Sequence, residues 1–170
     1  ANISRDDVSK IHFVTHSLGG LLVRYYLSNH KIKQLGRIVM LAPPNNGSEV
    51  AERYRNHFWY RWMTGAPGQQ LHKSGNALLE KLKPVETEVG VIAGTSSSDP
   101  WFNHVFEGEH DGKVSVNDAK LSEMKDLITV SHGHTFIMNK RKVKRHIVNF
   151  LNTGNFYQSQ KRKPLYTVRD

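Results

Sequence analysis

Three short stretches of the chain carry side chains that could act together as a nucleophile, a base and an acid. Ser17 stands in His16-Ser17-Leu18-Gly19-Gly20, His134 in His132-Gly133-His134-Thr135, and Asp111 in His110-Asp111-Gly112-Lys113. A serine hydroxyl is a weak nucleophile until a base within hydrogen-bond reach takes its proton. The base in turn needs a carboxylate to hold its tautomer and stabilise the imidazolium. Such a set attacks acyl carbonyl carbons through an acyl-enzyme. Each piece also has a plainer reading: Ser-x-Gly-Gly is a glycine-rich helix start, Asp-Gly is a common turn, and loop histidines are usually solvated.

The elements around these residues decide between the readings. Lys10 to Thr15 (KIHFVT) is a short apolar run suited to a strand buried in a parallel sheet. From Leu18 to about Asn29, Leu21, Leu22, Tyr25 and Leu27 recur at near-helical spacing, with Arg24 among them. Strand, tight turn and helix make a sharp elbow that lifts the Ser17 hydroxyl above the sheet, with Gly19 and Gly20 leaving room where helix and strand pack. The position two before the serine is Thr15, where a small glycine suits the elbow better.

Further strands are expected over about Arg37 to Leu41, Val89 to Ala93 and Leu127 to Val130, and a helix over Asn139 to Leu151. That helix faces inward with Val143, Ile147, Phe150 and Leu151, and Gly154 closes it. Ala42-Pro43-Pro44-Asn45-Asn46-Gly47 is turn chemistry, and Ser48 can cap a helix running to Arg55. About 57–83 reads as an insertion over the sheet, aromatic at its start (HFWYRW). Beyond Asn155 the basic tail is expected to be loosely ordered.

In the order VTHSLGGLLVRYYL, VMLAPPNNGSEVA, GVIAG, HDGKVSV and GHTFIMN, the chain closely resembles a bacterial family of lipase-like α/β-hydrolases of hydrolase or acyltransferase type. The likeness runs from about Lys10 to Gly154. It implies a partial α/β-hydrolase fold: a mostly parallel sheet with flanking helices, 1–154 forming the C-terminal portion of the catalytic domain and 155–170 a tail. By resemblance the acid is Asp111 in the Asp-Gly turn and the base His134 in the His-Thr-Phe segment, following Ser17 in the order of that fold. His132 and Asp99 are the competing candidates. His16 is expected to point to the opposite side and pack under the sheet as a structural residue.

The same likeness implies N-terminal strands upstream of Lys10, so the edge of the 10–15 strand is expected to be covered by a missing N-terminal segment or by a second copy. The Leu18 N–H supplies one oxyanion donor, and the second, which usually follows an earlier strand, has no candidate. The reaction class is then cleavage of a carboxylic ester, or transfer of its acyl group; the alternative is a catalytically incomplete binding module. Trp59, Tyr60 and Trp62 are candidates to line an acyl pocket.

Composition bounds the remaining options. The 170 residues suit one domain, and the absence of cysteine excludes a disulfide framework or a thiol nucleophile. No cofactor or metal is expected, since no His/Asp/Glu grouping has ligand spacing. The chain begins Ala1-Asn2-Ile3 without a leader-like segment, and compartment stays open with a slight lean to the cytoplasm. The net charge of +9 is densest in Lys140-Arg141-Lys142-Val143-Lys144-Arg145-His146. That run forms the outer face of the last helix: a solvated face first, an acidic-lipid contact second, and nucleic acid least, for want of a recognisable nucleic-acid fold.

Overall fold

The computed structural model describes residues 8–54, 79–97 and 104–157. Trp59, Tyr60, Trp62, Asp99 and the tail beyond Tyr157 lie outside the described residues. The elements are β1 (Ile11–His16), α1 (Leu18–Asn29), β2 (Leu35–Leu41), α2 (Glu49–Tyr54), β3 (Val89–Gly94), α3 (Val116–Ala119), β4 (Asp126–Val130) and α4 (Arg141–Thr153), with single 3-10 turns at Leu79–Lys81 and Ile137–Asn139. The strands form one parallel sheet in the order β1-β2-β3-β4. Each step to the next strand passes through a helix or a long loop, as parallel pairing requires.

Alternation along β2 and β3 builds two cores. Ile38, Met40, Val89, Val91 and Ala93 face one side, where Val23 and Leu27 of α1 and Val85, Val114 and Leu121 pack on them. Val39, Leu41 and Ile92 face the other side, against Val143 and Phe150 of α4 and Phe156 beyond it. Both faces of the central strands are therefore dry, which is why their sequences read as continuous apolar runs. Gly154 ends α4 in the left-handed conformation, its N–H donating to the Phe150 carbonyl at 2.8 Å.

Two helices depart from the periodic reading. On α1 the buried residues are Gly20, Leu21 and Arg24, while Leu22 and Tyr25 are exposed. The helix is apolar nearly all round, so spacing alone could not choose its inner face. Arg24 goes inward because Asn45 offers two acceptors, its backbone carbonyl and Oδ1, each 3.2 Å from Nη1. On α4, Val143 and Phe150 are buried as expected, but the third buried residue is His146. The short α3 had no counterpart in the apolar pattern; it is set by Ser115, whose Oγ accepts from the Asp118 N–H at 3.1 Å.

Candidate active site

The C-terminal ends of β1 and β3 and the loop after β4 bring Ser17, Asp111 and His134 together. Ser17 follows β1 directly and adopts φ 52°, ψ −129°. That backbone conformation is costly for a residue with a Cβ and is held by its surroundings. The Ser17 N–H still donates to the Leu41 carbonyl at 2.9 Å, tying the turn to β2. Of the two glycines that follow, Gly20 is the tight one: a Cβ there would stand 3.2 Å from Pro43 Cβ, whereas at Gly19 it would meet only ordinary contact with Thr15. A Cβ at Gly20 would also stand 3.6 Å from Thr15 Oγ1, which is buried without a hydrogen-bond partner.

His134 has each of its polar groups engaged. Its Nδ1–H donates to Asp111 Oδ2 at 2.8 Å, and with the proton there Nε2 accepts from Ser17 Oγ at 2.9 Å. Its backbone N–H donates to the Asp111 carbonyl at 3.0 Å, and its own carbonyl accepts from His16 Nε2 at 2.9 Å. Both His134 and Asp111 are buried. The second carboxylate oxygen of Asp111, Oδ1, accepts from the N–H groups of Lys113 and Val114 at 3.0 and 2.8 Å. A buried carboxylate so held cannot rotate away from His134 without leaving charge unpaired.

His16, expected on the opposite side of the sheet as a structural residue, makes a specific contact to the histidine loop. Its register opposite Leu41 does turn it to the α4 side of the sheet. At the end of β1, however, that side is where the loop carrying His134 comes down, and the two rings lie 5.0 Å apart. Burial, followed by the neighbouring His134, lowers the His16 pKa, which favours the neutral ring that donates to the His134 carbonyl. His132 borders the same loop without joining the hydrogen-bond chain between Ser17 and Asp111.

Further residues position the acid, a role beyond the turn chemistry of Asn45 and Asn46 and the helix cap expected of Ser48. Asn45 Nδ2 donates to the Ala119 carbonyl at 2.8 Å, the Asn46 N–H to the Asp118 carbonyl at 3.0 Å, and Ser48 Oγ to the Lys113 carbonyl at 2.7 Å. The β2–α2 turn thus clamps the segment 111–120, and Arg24 anchors that turn to the helix behind Ser17. Gly94 at the end of β3 is the other missed residue. A Cβ there would stand 2.3 Å from the His132 carbonyl oxygen and 2.7 Å from Asp111 Cβ, so the acid and the histidine loop close over bare backbone. Among the described residues no group of three or more His, Cys, Asp or Glu side chains could hold a metal ion. A cavity of about 340 Å³ beside the histidine is bordered by Asp111, Lys113, His134, Phe136 and Lys140.

A parallel sheet with a strained serine at the strand-to-helix turn, an acid after a later strand and a histidine after the last one is part of an α/β-hydrolase fold. Solved structures share it. The lipase BlEst2 of Bacillus licheniformis in its mature form superposes with a TM-score of 0.60 at 21% identity, over 84% of this chain and 64% of that one. A metagenomic carboxyl esterase gives 0.56 at 21% identity, over 75% and 46%, and an esterase of Pyrococcus furiosus gives 0.51 at 16% identity, over 85% and 53%. The chain thus spans less than two-thirds of the length of each of these structures. No protein-family profile and no curated protein matches the sequence.

Proposed function

We propose that the chain carries the catalytic residues of a serine hydrolase that cleaves carboxylic esters, of esterase or lipase type. The observation that carries this reading is the unbroken chain Ser17 Oγ to His134 Nε2 and His134 Nδ1 to Asp111 Oδ2, at 2.9 and 2.8 Å. Ser17 Oγ attacks the acyl carbon as His134 takes its proton. His134 then delivers that proton to the departing alkoxide, and water, deprotonated by His134 in its turn, attacks the acyl-enzyme and releases the acid as His134 returns the proton to the departing Ser17 Oγ. Asp111 keeps the proton of the neutral ring on Nδ1 and balances the imidazolium. The Leu18 N–H, in the first turn of α1 where backbone donors lack helical partners, faces the developing oxyanion. That the structures sharing the fold include a lipase and esterases suits this chemistry. An alcohol in place of water makes the same acyl-enzyme an acyltransferase.

The outer edge of β1, where Val14 is 48% exposed, is the surface that a further strand of the same protein or of a second copy covers in this reading. Hydrolysis of a short-chain p-nitrophenyl ester tests the proposal. Turnover by the chain that vanishes in Ser17→Ala supports it. A folded chain with no turnover and no reaction with a fluorophosphonate overturns it in favour of a binding module.

A further inference from the structure

The outer face of α4 gathers cations where a helix least favours them. Lys140 precedes the helix, Arg141, Lys142, Lys144 and Arg145 fill its first turn and the start of the next, and no acidic residue lies in the first turn. A helix N-terminus already carries positive partial charge, so these cations oppose the dipole rather than complement it. Among the described residues none of the five is in a salt bridge.

The same face is not purely polar. Arg141, Lys144 and Arg145 precede Val148 by seven, four and three residues, so they flank it on the N-terminal side of the same helix face, and Val148 is 59% exposed. The Arg145 guanidinium lies 6.0 Å from the ring centre of Tyr157, itself half exposed. Toward the site, Lys140 and Phe136, the latter 64% exposed, border the cavity beside His134.

We propose that this face docks on an anionic lipid surface. Arg141, Lys144 and Arg145 meet the headgroup charge, while Val148 and Phe136 enter the interfacial layer and bring the cavity beside His134 to it. A polyanion such as nucleic acid rewards the cations but gives nothing to exposed Val148, whereas a charged interface rewards both. The net charge of +9 steers the approach.

Sedimentation of the full chain with phosphatidylcholine vesicles, with and without phosphatidylglycerol, tests this independently of any ester hydrolysis. Binding is expected only to the anionic vesicles, and to weaken with salt. Each basic residue near such a surface is worth roughly fivefold in partition, so the triple variant Arg141→Glu/Lys144→Glu/Arg145→Glu should bind at least about a hundredfold more weakly. Its thermal midpoint should not fall, because acids suit that end of the helix. Val148→Ser should weaken vesicle binding while leaving any binding to a DNA oligonucleotide unchanged. The proposal is overturned by absence of binding to anionic vesicles at low salt, by undiminished binding of the triple variant, or by vesicle binding that Val148→Ser leaves intact.

Discussion

Two polar clusters stand at opposite ends of the same sheet, and they differ in what surrounds them. At the C-terminal end, His134 and Asp111 are buried and every polar atom of His134 has one specific partner. At the N-terminal end, Glu88 pairs with both Lys125 and Arg37, whose Nη1 also donates to the Leu151 and Asn152 carbonyls and so holds down the last turn of α4. There the side chains are 29–38% exposed, and water can replace any one of them. The buried cluster tolerates only one arrangement, bought with strain at Ser17 and a bare backbone at Gly94. The exposed cluster is an adjustable clasp. Burial with full satisfaction, rather than charge density, distinguishes the end where the proposed chemistry is placed.

Breaking the buried end should have the largest effect. Asp111→Asn keeps the shape but lets the ring adopt the wrong tautomer, and kcat for ester hydrolysis should fall by about 10⁴ with KM nearly unchanged. Circular dichroism of the variant should match that of the parent. Gly94→Ala should act through packing. The added methyl forces the His132 carbonyl or Asp111 aside, costing about 1–3 kcal/mol in urea unfolding, and the ester rate should drop more than stability alone explains. A Gly94→Ala variant with parental stability and rate would show that the acid loop is more pliant than its contacts indicate.

The smallest effect belongs to the exposed end. Glu88→Gln should cost less than about 1 kcal/mol and leave the ester rate unchanged. Lys125 first and Arg37 second hold the Glu88 carboxyl below its ordinary value of 4.5. Because the folded-state value is the lower one, this stabilisation is present above the unfolded value and is lost as pH falls through the folded value. The difference in thermal midpoint between parent and Glu88→Gln should therefore shrink as the solution is acidified below 4.5. A difference that grows on acidification would contradict the assignment.

The sheet was legible because its strands are buried on both faces, and runs such as RIVML and VGVIA leave few other placements. The structure extends β2 back to Leu35 and starts β4 at Asp126, since strand ends are set by pairing rather than by apolar content. α4, with charge on one side, disclosed most of its inner face; α1, apolar all round, did not. Ser17, Asp111 and His134 could be named from motif, order and family resemblance, and the structure sets Ser17 Oγ and Asp111 Oδ2 each within hydrogen-bond distance of the His134 ring. The supporting residues could not. His16, Arg24, Asn45 and Gly94 matter through partners 21 to 118 residues away or through a missing Cβ, and no local pattern records either.

The most direct measurement is mass-spectrometric mapping of the adduct formed when the full chain reacts with a fluorophosphonate, beside Ser17→Ala and His134→Ala. A single adduct on Ser17 is expected, absent in Ser17→Ala and formed more slowly by at least about 10³ in His134→Ala. An adduct on another residue, or labelling of Ser17 at the same rate without His134, would contradict the proposal.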